Sequence, residues 1–142
     1  PPAWTPSPAL DVTPILDAVA WNDAGLVPAI AQQYDSREVL MMAWMNRESL
    51  AITLRTGVAV YWSRSRGALW RKGESSGQTQ AVTGLTVDCD GDTVLVEVDQ
   101  VGVACHTGRR SCFYMRVGEG GAMEESMGVE VDPSELYGKK SV

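Results

Sequence analysis

Apolar and polar positions along this chain follow two different periods, and the switches between them mark its elements. In DVTPILDAVAW, Asp11 to Trp21, the residues Ile15, Leu16, Val19 and Ala20 recur at helical spacing, with Thr13 as N-cap and Pro14 in the first turn. The spacing predicts a short helix. LVPAIAQQY (26–34) and REVLMMAWM (37–45) are strand-length runs around the polar turn Asp35-Ser36. Asn46 is placed to cap a second helix, NRESLAITLRTG, which Gly57 stops. VAVYWS, QTQAVTGLTVDC and DTVLVEVDQV read as three more strands, the last two forming a hairpin, and SCFYMRV (111–117) reads as a final core strand. The sum is an α+β domain of mostly antiparallel sheet with two short helices. The expected organisation is a loose Pro-rich tail over 1–10, a globular unit over 11–117 and a Gly- and Glu-rich extension over 118–142 with no element placed in it. No internal repeat is evident.

Composition narrows the class. A chain of 142 residues, 44% apolar and 21% charged, is one soluble domain with a real core. No apolar run reaches the length of a membrane span, and the first residues lack the blocks of a signal peptide, so a cytoplasmic protein is expected. A net charge of −6 argues against a nucleic-acid binder, although a local cluster of arginines can still hold a small anion. Three cysteines, an odd number, point to free thiols, metal ligands or catalytic groups rather than a disulfide framework.

Two segments carry candidate chemistry. In the first, Cys89, Cys105 and Cys112 are spaced C-x15-C-x6-C, with the only histidine, His106, beside the second cysteine. Three thiolates plus water would make a catalytic zinc site, and three thiolates plus His106 a closed structural one. Three buried core cysteines are equally compatible with the spacing. Adjacent residues of a strand face opposite ways, which favours one of Cys105 and His106 as a ligand and the other as a neighbour with a different task. Around Cys89, Asp88, Asp90 and Asp92 alternate, so in an extended segment they share one face while Cys89 turns away. Three carboxylates on one face suit Mg²⁺ or Ca²⁺, but an acidic hairpin turn at Asp90-Gly91 is the plainer reading of those residues alone. The loop is not an EF-hand, because Gly91 is fourth and Asp99 twelfth.

The second segment, YWSRSRGALWRKGESSGQTQ, concentrates four of the twelve basic residues, Arg64, Arg66, Arg71 and Lys72, within nine positions of an acidic chain. Guanidinium groups and loop amides suit a phosphate, and Trp62 or Trp70 could stack on a purine. An ordinary exposed basic hairpin is the competing reading.

WSRSR, LWRKGESSG, DCDGD and GVACHTGRRSCF, in this order and spacing, together with EVLMMAWMNRESL upstream, resemble the phosphoribosyl-AMP cyclohydrolases of histidine biosynthesis. The resemblance covers roughly residues 26–113. It implies hydrolytic opening of the adenine ring of phosphoribosyl-AMP between N1 and C6 by zinc-activated water. It assigns Cys89, Cys105 and Cys112 to one Zn²⁺ per subunit and Asp88, Asp90 and Asp92 to Mg²⁺, and it implies an intertwined homodimer whose zinc ligands come from both subunits. Imidazole chemistry suits His106 to shuttling a proton toward the departing N1. Arg64, Arg66, Arg71 and Lys72 are the candidates for the phosphate of the small nucleotide substrate, and Trp62 and Trp70 for its purine. No nucleic-acid or membrane partner is expected. Gln78 departs from the histidine or asparagine often found there, and no role is assigned to it. The long helical segment of the fused bifunctional enzymes is missing, so a monofunctional enzyme is expected. The H-x-E and P-C-x-x-C signature of zinc deaminases is absent, as is any C-x-x-C redox pair. A small binding module with structural zinc and no catalysis is the alternative.

Overall fold

A computed structural model describes residues 4–137. The outer ends of the two terminal segments, 1–3 and 138–142, lie outside the described residues. Helix α1 (Thr13–Ala18) is followed by β1 (Leu26–Gln33), β2 (Val39–Asn46), α2 (Arg47–Thr56), β3 (Val60–Ser63), β4 (Ala68–Arg71), β5 (Gln80–Val87) and β6 (Val94–Gln100). Then come β7 (Met115–Val117), β8 (Met123–Glu125) and α3 (Pro133–Tyr137). Strands β1 to β6 form one sheet in the order β4-β3-β2-β1-β6-β5, while β7 and β8 pair separately.

The sheet is mixed. β1 pairs antiparallel with β2 but parallel with β6, from Ala29 opposite Val94 to Gln33 opposite Val98. The expectation of a mostly antiparallel sheet holds at every other pairing of this sheet. Pro28 stands just outside the stretch that β6 pairs, so its missing N–H breaks no bond to β6. Burial alternates strictly along β6, with Val94, Val96, Val98 and Gln100 inward. The three valines pack with Val27, Ala29, Ala31, Leu40 and Met45, and Leu50 and Leu54 of α2 close the core.

Helix α2 is bounded as its sequence dictates. The Asn46 side chain accepts the Ser49 amide at 2.8 Å, the Ser49 hydroxyl accepts the Asn46 amide at 2.9 Å, and Gly57 ends the helix at φ +75°. Helix α1 differs from expectation at its start. Val12 occupies the cap position, and the carboxylate of Asp11, not Thr13, takes up a free amide by accepting Thr13 N–H at 3.1 Å.

Three further expectations are corrected. The N-terminal segment is not loose where it is described: Trp4 Nε1 donates to the Leu54 carbonyl at 2.7 Å and Ser7 N to Arg55 at 2.8 Å, docking it on α2. Among the described residues three helices form rather than two, the third being the five-residue α3. Residues 111–117 are not a core strand. The Ser111 hydroxyl donates to Val39 and the Cys112 amide to Leu40, which turns the chain away from a sheet ladder, and only Met115–Val117 extends. The alternation that suggested a core strand is real, but the described residues leave its apolar side chains largely open: Phe113 is 58%, Met115 46% and Val117 63% exposed.

Candidate active site

The acidic turn joins β5 to β6. Asp88, Asp90 and Asp92 present carboxylate oxygens all within 4.8 Å of one another. They converge through a turn, not through the pleat of an extended strand as the alternation suggested. Gly91 holds φ +78°, and a Cβ there would meet the Ala18 carbonyl at 2.7 Å, so the turn docks against the end of α1. The Gly91 carbonyl accepts the Ala20 amide at 2.7 Å, which fixes that docking. Asp88 Oδ1 accepts the amides of Asp92 and Thr93 at 2.9 and 3.3 Å. Burial works to raise the Asp88 carboxyl, but hydrogen bonds from Asp92, Thr93 and Gly91 outweigh it and hold it below the ordinary carboxylate range. Asp92 is pushed up, first by hydrogen bonding to Asp88 and Asp90 and then by burial and their negative charge. Oxygen donors at this spacing fit a hard divalent cation.

The second centre is a tight turn, Cys105 to Gly108, closed by the Gly108 amide on the Cys105 carbonyl at 3.0 Å. Cys105 is buried and His106 exposed; the two lie in a turn, not on the strand from which their opposite orientation was argued. Cys112 comes back beside Cys105, close enough for their thiols to hydrogen-bond. Cys112 as a residue is exposed, yet partial burial of its thiol, then its neighbour Cys105, pushes its pKa up to about 12, while Lys72 works the other way. Thr107 Oγ1 reaches the Cys105 sulfur at 3.0 Å. Cys89 is exposed on the acidic turn, and its sulfur lies 3.9 Å from Asp90 Oδ1. Among the described residues, the aspartate trio is the only group of three potential ligands whose ligating atoms lie within 4.8 Å. The three cysteines therefore do not gather within one chain. Two soft sulfur donors at the turn are of the type that suits zinc.

Strands β3 and β4 hold the basic segment. A hollow of about 350 Å³ is lined by Ser63, Arg66, Trp70, Arg71 and the turn over 72–76. Beside it a shallower slot of about 510 Å³ is walled by Trp44, Trp62, Trp70 and Arg64. The Arg64 guanidinium lies over the Trp44 ring at 4.7 Å, and Trp70 packs on Tyr61 at 5.2 Å. Arg64, Arg66 and Arg71 are exposed. Lys72 is not: its ammonium is buried and donates to the Ala104 carbonyl at 2.7 Å. Burial lowers its pKa, and Cys112 and Cys105 work in the opposite direction.

The sequence reading passed over three residues of this region. Trp44 pairs in register with Trp62, and two tryptophans facing each other on adjacent strands were the available signal. Gln78 reaches the loop before Cys105, accepting the Val103 amide at 2.9 Å. Thr107 had no signal beyond its place next to His106.

Comparison with known proteins agrees with this constellation. The family model described as phosphoribosyl-AMP cyclohydrolase matches residues 41–114, a stretch containing every candidate site residue named above. Among curated relatives, a phosphoribosyl-AMP cyclohydrolase of Chromohalobacter salexigens is 64% identical over 126 residues, covering 89% of this chain and 86% of that protein. Proteins of the same name from Rhodospirillum rubrum and Alkalilimnicola ehrlichii are 66% identical over 121 residues and 61% over 132. They cover 85% and 93% of this chain, and 85% and 92% of their own lengths.

Proposed function

Because the chain belongs to the phosphoribosyl-AMP cyclohydrolase family, we propose that it hydrolyses the N1–C6 bond of the adenine ring of phosphoribosyl-AMP, a step of histidine biosynthesis. The observation that carries this reading is that the family match over residues 41–114 takes in the acidic turn, the cysteine turn and the basic hairpin together. No helix of the described residues is long and apolar enough to cross a membrane.

Cys105 and Cys112 would hold zinc, with Cys89 of a second subunit as third ligand, and Asp88, Asp90 and Asp92 would hold Mg²⁺. Bound zinc supplies a water of lowered pKa, about 7 in favourable sites. The remaining work belongs to the chain. His106 stands exposed next to the buried Cys105 and makes no hydrogen bond or ion pair among the described residues, which leaves its imidazole able to carry a proton to the departing N1. Arg64, Arg66 and Arg71 provide forked donors at the edge of the two hollows, suited to the substrate's phosphates. Trp62 and Trp70 offer flat faces for the purine. The homodimer is supported by two observations: Cys89 does not lie with its own chain's cysteine pair, and the apolar side chains of Val39, Met42, Phe113, Met115 and Val117 are left exposed. The test is an absorbance assay of ring opening with phosphoribosyl-AMP and zinc-loaded protein; absence of turnover at any substrate concentration would reject the reading.

A further inference from the structure

The loop from Gln100 to Cys105 has an unusual set of partners. Arg110 donates to the carbonyls of Gln100 and Gly102, and Gln100 Nε2 to those of Val101 and Val103. The last carbonyl before Cys105, that of Ala104, accepts from Lys72 Nζ at 2.7 Å. Five consecutive carbonyls are thus held by side chains, while the amides of Val101, Ala104 and Cys105 donate to the backbone carbonyls of Thr79, Arg110 and Arg109. Lys72 differs from the other donors because it arrives from the basic hairpin, 32 positions away. Lysine is among the residues least often buried, since its ammonium loses hydration that only good partners replace. Here the side chain is 7% exposed, and besides Ala104 its ammonium interacts with Cys105, Cys112 and the Trp70 ring at 5.7 Å.

We propose that Lys72 is a positioning residue for the cysteine pair: by holding the Ala104 carbonyl it sets how Cys105 approaches Cys112, and thereby the half of the metal site that this chain supplies. This differs from the phosphate-holding role that its place in the basic segment suggests, and its zinc-dependent part rests on the proposed function above. The geometry also ties the turn that lines the 350 Å³ hollow to the turn that carries the sulfurs, through one side chain.

The experiment compares the full wild-type chain with K72M, which keeps the stem and loses the ammonium, and K72R, which keeps charge and donors. In metal-free protein, hydrogen exchange over 101–105 is measured against exchange in β1. Zinc affinity is measured by competition with a chromogenic chelator, and kcat and KM are measured with zinc saturating. The account expects K72M to speed exchange over 101–105 and weaken zinc affinity by about tenfold or more, with β1 unchanged, and K72R to recover much of both. At saturating zinc, kcat should fall while KM stays within about twofold. A raised KM with zinc affinity, exchange and kcat intact would make Lys72 a phosphate ligand and overturn the proposal. Failure of both variants to fold even in saturating zinc would also overturn it, by making Lys72 a requirement of the fold. If the wild type binds no zinc, the metal reading fails by itself, and the exchange comparison still decides whether Lys72 anchors the loop.

Discussion

Gln78 accepts the amide of Val103 across 25 residues, and the opposite side of that contact is open only because residue 102 is glycine. A Cβ on Gly102 would fall 1.7 Å from Gln78 Oε1, and the glycine holds φ +64°. The contact joins the end of the GESSG turn to the loop leading into Cys105. Gln78→Leu is therefore expected to leave a buried amide unsatisfied, costing about 1–3 kcal/mol of stability. Urea unfolding measures the loss, and a change below a few tenths of a kcal/mol would mean that water replaces the Gln78 oxygen without cost.

His106 is expected to matter for rate and not for metal content. His106→Ala should lower kcat by about 10²–10⁴-fold while zinc per chain is unchanged. A kcat close to wild type would leave the imidazole no part in proton transfer.

How far the sequence discloses this arrangement depends on whether the deciding interaction is local. Helix α2 was readable because Asn46, Ser49 and Gly57 are its own punctuation. The strands β1, β2, β5 and β6 were readable from period and turns, but the parallel pairing of β1 with β6 was not, since it joins segments some 65 residues apart. Residues 111–117 misled because alternation marks a strand-like face without saying whether this chain covers it. At the site, residue types and spacing pointed to the cysteines, aspartates and arginines. The burial of Lys72 was hidden, because its partner is a backbone carbonyl, which has no signature in sequence. The convergence of the aspartates was foreseen for the wrong reason: Gly91 and its fit against α1 make it, not strand alternation.

Alkaline pH should expose the role of Tyr61. Its hydroxyl is fully buried, donates to Gln80 Oε1 at 2.7 Å, and burial raises its pKa far above the ordinary value of 10.0. The folded state then holds a proton that the unfolded state gives up above pH 10. Stability from this group is complete below about pH 10 and falls by up to about 1.4 kcal/mol per pH unit above it. Tyr61→Phe should be less stable at neutral pH, through the unpaired Gln80 oxygen, but should lose stability less steeply between pH 10 and 12. Parallel alkaline slopes in urea titrations of the two proteins would contradict this.

The separation of Cys89 from the Cys105–Cys112 pair makes a prediction about subunits. C89S and C105S homodimers should each be inactive. A heterodimer of the two retains one intact site if the ligands come from both subunits, and none if they come from one. Random reassociation of equal amounts should restore about a quarter of wild-type activity. No recovery, with heterodimers demonstrated by mass spectrometry, would place all three ligands in a single chain.

The most direct measurement pairs zinc analysis with the ring-opening assay through a cycle of metal removal and return. Chelation should abolish turnover of phosphoribosyl-AMP while circular dichroism stays that of the folded protein, and added zinc should restore activity in proportion to zinc bound at one per chain. Full turnover by folded protein with no bound zinc would contradict the account.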